Sequence, residues 1–255
     1  MIIEARGLSR VFPDGTRGLD RLELSLGEPG FTLLSGRNGS GKSLFIRHIL
    51  GLERPDEGGI YIDGVALERC LSLARSRIAL LFQEPEHQIL GITVREDAEF
   101  GPRAAGLKPK AYTALVDDAL RSAGLAGMDN RLSSALSGGE KRRLALASVL
   151  VGKPELIILD EPFNDLDWQG ASDLLAALLR LRKDGIAILI VTHDLEKCLA
   201  HADRLIVMEQ GRVLRDASPA ALWDELPALG LRRPRGGPSL LSGMTWLKAG
   251  QQAAP

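Results

Sequence analysis

Apolar residues recur along this chain with two different spacings. Short apolar runs stand at 31–35, 78–82, 156–160 and 186–191, each bounded by polar or turn residues, and read as strands. The runs at 156–160 and 186–191 are nearly continuous, as strands buried on both faces should be. Between such runs the spacing becomes helical. Residues 42–50 suit a helix closed by Gly51 and Pro55. Residues 111–123 place Leu115, Ala119 and Leu120 on one face and Asp117, Asp118 and Arg121 on the other. Residues 170–182 are rich in leucine and alanine and stop at Asp184 and Gly185. In the first third, residues 59–63 read as a strand entering an Asp63-Gly64 hairpin turn, and 204–208 with 211–214 as a closing hairpin. The pattern from about 84 to 151 is helical. This alternation predicts an α/β fold with a largely parallel core sheet. Beyond about residue 216 the chain thins into segments containing Pro and Gly, so 216–255 reads as a short appendage with a mobile end.

Composition narrows the class. At 255 residues the chain suits one large domain, and 45% hydrophobic with 25% charged residues is ordinary for a protein that buries a core. The net charge of −1 carries no basic field, so no nucleic-acid partner is expected. Cys70 and Cys198 lack metal-like spacing and read as reduced, buried thiols. The first residues lack a secretory apolar region, and the longest apolar runs fall far short of the ~20 residues that span a bilayer. The chain is therefore expected in the cytoplasm, with docking on a membrane protein left open.

The chemistry begins at Gly36, Arg37, Asn38, Gly39, Ser40, Gly41, Lys42 and Ser43, which match the phosphate-binding loop G-x-x-x-x-G-K-[ST]. The glycines let backbone N–H groups approach phosphate oxygens, and the strand–loop–helix order puts the anion at a helix N-terminus. Lys42 is placed to meet the β- and γ-phosphates, and the Ser43 hydroxyl to ligate Mg²⁺. Such a loop alone fits kinases, helicases and GTPases equally. The strand at 156–160 ends in Asp160 and Glu161, suited respectively to holding Mg²⁺ and to polarising the attacking water. Ser137 and Glu140 form an S-x-x-E capping box for a helix running to about 151. Gly138 and Gly139 add bare amides that a cap does not need and an anion could use.

The run Leu136, Ser137, Gly138, Gly139, Glu140, lying between a phosphate-binding loop and an Asp-Glu strand end, resembles the signature of the ATP-binding-cassette (ABC) ATPases. The resemblance covers about residues 2–215. It implies a P-loop ATPase fold with a mainly parallel core sheet, an antiparallel β subdomain and a helical signature subdomain at about 84–151, the whole domain spanning 1–215. It implies ATP with Mg²⁺, and two cassettes paired head to tail, so that Ser137, Gly138 and Gly139 of one meet the γ-phosphate held by the other. Gln83 matches the glutamine that touches Mg²⁺ and links the subdomains, Asp167 the D-loop aspartate, and His193 the histidine that contacts the γ-phosphate. Phe12 stands where the family stacks an aromatic ring on adenine, although a single Phe is more often core. Phe163 and Asp165 depart from the family's smaller D-loop residues, which puts the usual packing across the dimer in question.

Residues 82–107, with Gln88 and the run Phe100, Gly101, Pro102, resemble more narrowly the energy-coupling-factor and cobalt/nickel-type importer ATPases. That implies an ATP-hydrolysing subunit of an importer for a transition-metal ion or vitamin-like micronutrient. Its partners would be a second ATPase subunit, identical or paralogous, and integral-membrane subunits on the inner face of the cell membrane. Another ABC transporter, a soluble ABC ATPase of DNA repair or translation, and a nucleotide-binding regulator without turnover remain alternatives. The lack of a long heptad insertion or second cassette counts against the soluble enzyme, and Glu161 and His193 count against the regulator. Residues 84–102 are the expected groove for a helix of the membrane partner, with Ile89, Leu90, Ile92 and Phe100 as anchors near Glu84, Glu86 and Glu96. The competing reading is that those apolar residues are ordinary core.

Overall fold

Residues 1–234 and 237–248 are described by a computed structural model. In chain order they form β1 (Ile3–Val11), β2 (Arg17–Leu26), β3 (Phe31–Ser35), α1 (Lys42–Ile49), β4 (Glu57–Ile62), β5 (Val65–Ala66), α2 (Leu67–Arg77) and β6 (Ile78–Leu81). There follow α3 (Val94–Ala104), α4 (Pro109–Ser122), α5 (Gly138–Leu150), β7 (Leu156–Asp160), α6 (Trp168–Lys183), β8 (Ala187–Val191), β9 (Arg204–Glu209) and β10 (Arg212–Ala217). Among the described residues the strands make two sheets, one in the order β10-β9-β3-β8-β7-β6 and one in the order β2-β1-β4-β5. The first is parallel apart from β10, and the second is antiparallel.

The parallel sheet is sandwiched, which is why its strands are apolar on both faces. Ile157 and Leu159 of β7, with Ile188 and Ile190 of β8, face the larger core beneath α3, α4, α5 and α6. Their neighbours Leu156, Ile158 and Leu189 face a second core shared with α1 and the antiparallel sheet. The polar residues that end β3 and β7 are thereby delivered to one edge, where chemistry can occur.

Local signals explain the element ends. Asp63 (φ 48°) and Gly64 (φ 81°) both take left-handed conformations, as the tight turn between β4 and β5 requires. Ser137 caps α5 with both bonds of a capping box, its hydroxyl accepting from Glu140 N–H at 3.3 Å and the Glu140 carboxylate accepting from Ser137 N–H at 2.7 Å. One helix, α2, has no counterpart in the sequence reading. It buries only Leu67 and Ala74 and is kinked at Cys70, so it carries no clear apolar stripe.

Two expectations need correction. Cys198 is buried, which pushes its thiol pKa up, but Cys70 is only half-buried. The segment after β10 is also better anchored than its composition suggests. Leu222, Trp223, Leu226, Leu229 and Leu231, and further on Leu247, all enter the larger core. Beyond them, Lys248 N–H donates to Ser172 Oγ at 3.1 Å on α6. The expected mobile end falls on residues outside the described set. No helix among the described residues is long and apolar enough to cross a membrane.

Candidate active site

The loop between β3 and α1 folds around the Lys42 ammonium, which donates to the carbonyls of Gly36 (2.7 Å) and Arg37 (3.1 Å) and to Ser40 Oγ (3.3 Å). Gly36 sits at φ 141°, and a Cβ there would strike the Met208 carbonyl oxygen, so the loop tolerates no side chain at its entrance. Asn38, Gly39, Ser40, Gly41, Lys42 and Ser43 line an open cleft of about 570 Å³. Gly36 and Arg37 lie off its wall and contribute the carbonyls that hold Lys42. Phe12, 40% exposed, lines the same cleft beside Gly18 and Leu44, and a Cβ at Gly18 would hit both neighbours. A half-exposed ring packed beside a phosphate loop offers a face to a flat base.

Gln83, Asp160, Glu161, Asn164 and His193 line this cleft as well. Residue Glu161 follows β7 at φ 46°, and its carboxylate is held from several sides. Oε1 accepts from the His193 backbone N–H (3.1 Å) and pairs with His193 Nδ1 (2.6 Å), while Oε2 accepts the Thr192 hydroxyl (2.8 Å). Thr192 is oriented in turn by Asp194 N–H, which donates to its Oγ1 at 3.0 Å. The Glu161 side chain is 14% exposed and that of His193 60%. His193 therefore stands at the cleft mouth with its ring braced on the carboxylate. An acceptor-only carboxylate fixed by donors on one side can take a proton from water on the other.

Ser137, Gly138, Gly139 and Asp167 lie elsewhere. They line a second cleft of about 480 Å³, which shares no lining residue with the first. The two glycines play different parts there. Gly138 is open, with nothing near a Cβ position, whereas Gly139 is buried, and a Cβ would meet Gly170 Cα at 3.1 Å. The absence of a side chain at Gly139 thus lets α5 pass close to α6. Asp167 is the N-cap of α6, its Oδ1 accepting from Gly170 N–H at 2.7 Å. The head-to-tail resemblance implied that the signature and the phosphate loop of one chain serve different nucleotides, and the fold does place them in two separate clefts.

The ABC transporter family profile matches residues 19–164, more than half of the chain. The chain belongs to the ABC transporter family. Among its relatives is the energy-coupling factor transporter ATP-binding protein EcfA of Methanocaldococcus jannaschii, 36% identical over 92% of this chain and 86% of its own length. Another is the cobalt import ATP-binding protein CbiO of Rhodobacter capsulatus, 36% identical over 91% of this chain and 85% of its own. The solved structure of cbiO1 from Clostridium perfringens, described as part of the ABC transporter complex cbiONQ, superposes with a TM-score of 0.82 at 31% identity. That match covers 91% of this chain and 96% of that one.

As an ABC ATPase the chain binds ATP and hydrolyses it. The donor set in the nucleotide cleft suits Mg²⁺, a hard cation that takes oxygen ligands and leaves positions for phosphate. Ser43 offers a hydroxyl, Gln83 an amide oxygen and Asp160 a carboxylate. The Asp160 carboxylate accepts no hydrogen bond among the described residues. Burial pushes its pKa up, adjacent Glu161 pushes the same way, and Lys42 opposes them. A cation would relieve that strain, and when bound it would neutralise charge on the phosphates. The sign for stability follows. A raised folded-state pKa means that the charged carboxylate opposes folding above that pKa and ceases to do so at pH values below the ordinary carboxylate range. Asp160→Asn in the nucleotide-free protein is therefore expected to melt higher than the parent at pH 7.5, with the gap closing near pH 3.5. Differential scanning calorimetry across pH, without nucleotide, checks this; a lower melting temperature at pH 7.5 contradicts it.

The D-loop departures resolve differently from each other. Phe163 points into the larger core at 3% exposure, and its carbonyl accepts the Lys197 ammonium at 3.0 Å, so its bulk does not reach a partner surface. Asp165, at φ 58°, lines the signature cleft. Gln88 pins the start of the segment beyond β6, accepting from Phe82 N–H (3.2 Å) and donating to the Leu80 carbonyl (3.1 Å). Sequence reasoning missed Asn164, Gly18 and Thr192 as site residues. Only proximity to the motif residues could have flagged them, because each acts through contacts made after folding.

Proposed function

We propose that this chain is the ATPase subunit of a membrane importer for a transition-metal ion such as cobalt or nickel, or for a vitamin-like micronutrient. It works as a head-to-tail dimer on the inner face of the membrane, identical or paralogous in its second subunit. Residues 1–215 form the ATPase domain and 84–151 its helical part. In each composite site, Lys42 and the amides of the 36–43 loop hold ATP phosphates, and Phe12 stacks on the base. Ser43, Gln83 and Asp160 hold Mg²⁺, and Glu161 activates water. His193 leaves Glu161 for the γ-phosphate, while Ser137, Gly138 and Gly139 arrive from the partner. The separation of the two clefts supports this pairing, since neither alone carries both the phosphate loop and the signature.

The observation that carries the transport reading lies beside Gln83. Leu90 is 62%, Ile92 72% and Phe100 47% exposed, while Ile89 packs against the core. An exposed apolar step of this kind suits a helix of an integral-membrane partner. Exposed Glu84 beside it favours a basic helix, while Glu86 is already paired with Lys141. The step is rigidly tied to the ATPase. Buried Asp97 accepts the N–H groups of Leu90 (2.7 Å) and Gly91 (2.9 Å) on Oδ1 and the Ser148 hydroxyl of α5 (2.6 Å) on Oδ2. Glu96, exposed beside Ile92, also closes the capping box of α3 with Thr93, so a change there would disturb the helix as well as the rim.

Leu90→Asp with Ile92→Asp is expected to weaken binding to the membrane partner about thirtyfold or more, the loss of one good apolar anchor. The free subunit's ATP affinity should be unchanged. Co-purification with a co-expressed membrane subunit of the transporter, set against nucleotide titration, measures both. Retained co-purification would move the docking surface elsewhere. Uptake of cobalt, nickel or labelled vitamins by the reconstituted complex then decides the cargo.

A further inference from the structure

Helix α5 starts at the signature cleft and, one turn further on, carries Arg142, which is 7% exposed. The guanidinium reaches across to two separate loops. Nη2 donates to the Gln83 carbonyl at 3.1 Å, and Nη1 donates to the Asn164 carbonyl. Both loops line the nucleotide cleft of the same chain. Nε finds no partner, and no carboxylate lies within hydrogen-bond reach of the group among the described residues. Burial pulls its pKa down, and the more distant charges of Asp165 and Glu86 pull back. Glu86 is itself engaged with Lys141 at 3.0 Å.

A buried cation without a bonded carboxylate is a poor means of stabilising a fold, and an apolar side chain of similar length would fill the same space at less cost. What Arg offers that no other side chain does is a rigid planar fork able to hold two carbonyls at once. Gln83 and Asn164 are 59 and 22 residues from Arg142 in sequence, so the fork joins segments that the chain itself does not hold together.

We propose that Arg142 is a positioning residue that fixes Gln83 and Asn164 of its own nucleotide cleft to the signature helix. The fork thus sets where both loops stand in the chain's own cleft relative to the helix that meets the partner's nucleotide. This rests on the head-to-tail reading above. Arg142 touches no substrate; it acts through the two loops it holds.

The test uses the full chain. Arg142→Met keeps the length and removes the donors, and Arg142→Lys keeps a charge but only a point donor. ATP affinity, read with a fluorescent ATP analogue, should stay within about twofold, while kcat falls by about tenfold to a hundredfold, as misplacement of reacting groups does. Arg142→Lys should fall in between. The melting temperature of Arg142→Met should equal or exceed the parent's, whereas a purely structural arginine would lose melting temperature and activity together.

Mixed dimers then locate the effect. In a dimer of Lys42→Ala with Ser137→Arg subunits, one composite site takes its phosphate loop from the Ser137→Arg subunit. Arg142→Met placed in that subunit should abolish most of the composite activity, and placed in the Lys42→Ala subunit should spare it. Equal loss in both placements, or an unchanged kcat in the uniform variant, overturns the proposal. If proven mixed dimers without the Arg142 change show no composite activity, the head-to-tail reading fails instead. The split between kcat and affinity in the uniform variant then judges the positioning role by itself.

Discussion

Glu161→Gln is expected to bind MgATP normally and to hydrolyse it about 10²–10⁴-fold more slowly, the usual cost of losing a general base. The surroundings of the carboxylate explain why binding should survive. His193 donates twice to Oε1 and Thr192 once to Oε2. A glutamine can turn its oxygen to His193 and its NH₂ to the Thr192 hydroxyl, which can also accept, so no buried donor is stranded. The phosphate loop and Asp160 are untouched. The variant should accumulate as an ATP-bound dimer on gel filtration. Turnover within a few-fold of the parent would place the base elsewhere.

Lys42→Ala and Ser137→Arg proteins should each be nearly inactive, and their mixture should regain activity at one composite site. Lys42→Ala removes the ammonium that the 36–43 loop is folded around. Ser137→Arg fills the open mouth of the second cleft, where Gly138 has no neighbour near its Cβ position. Because the two clefts share no residue, each variant leaves the other half-site intact. A statistical mixture places half of the chains in mixed dimers with one good site each, so about a quarter of parental activity is expected if the sites turn over independently. A mixture as inactive as its components, with mixed dimers demonstrated by mass spectrometry, would end the shared-site proposal.

Much of this protein was legible before any coordinates, and for local reasons. A phosphate-binding loop needs glycines at fixed offsets and a lysine at the helix start, and all of these are neighbours in sequence. The cap of α5, read in advance, is contained within Ser137 to Glu140; that of α3 is equally local, within Thr93 to Glu96, but was not read. The runs that became β7 and β8 could be read because burial on both faces leaves no polar position within them. Where such a signal was weak, as in kinked α2 with two buried residues, the helix escaped notice. Composition also misled at the C-terminal segment, where Pro and Gly suggested looseness although Trp223 and Leu226 are core residues.

What the sequence by itself determined was the set of candidate reactive groups and the class of fold: phosphate loop, paired carboxylates, signature run and the histidine after β8 on a parallel α/β sheet. What only the tertiary structure decided was how those groups are distributed and held. It put Asp167 with Ser137 and Gly138 in a cleft apart from Lys42 and turned Phe163 inward. It set Thr192 against Glu161 from 31 residues away and Arg142 against Gln83 from 59. The physical reason is the range of the interactions. Backbone conformation and capping are settled within a few residues, so sequence spacing records them. A hydrogen bond or packing contact between distant segments exists only after burial brings them together, and nothing in the spacing of either segment encodes the other's approach.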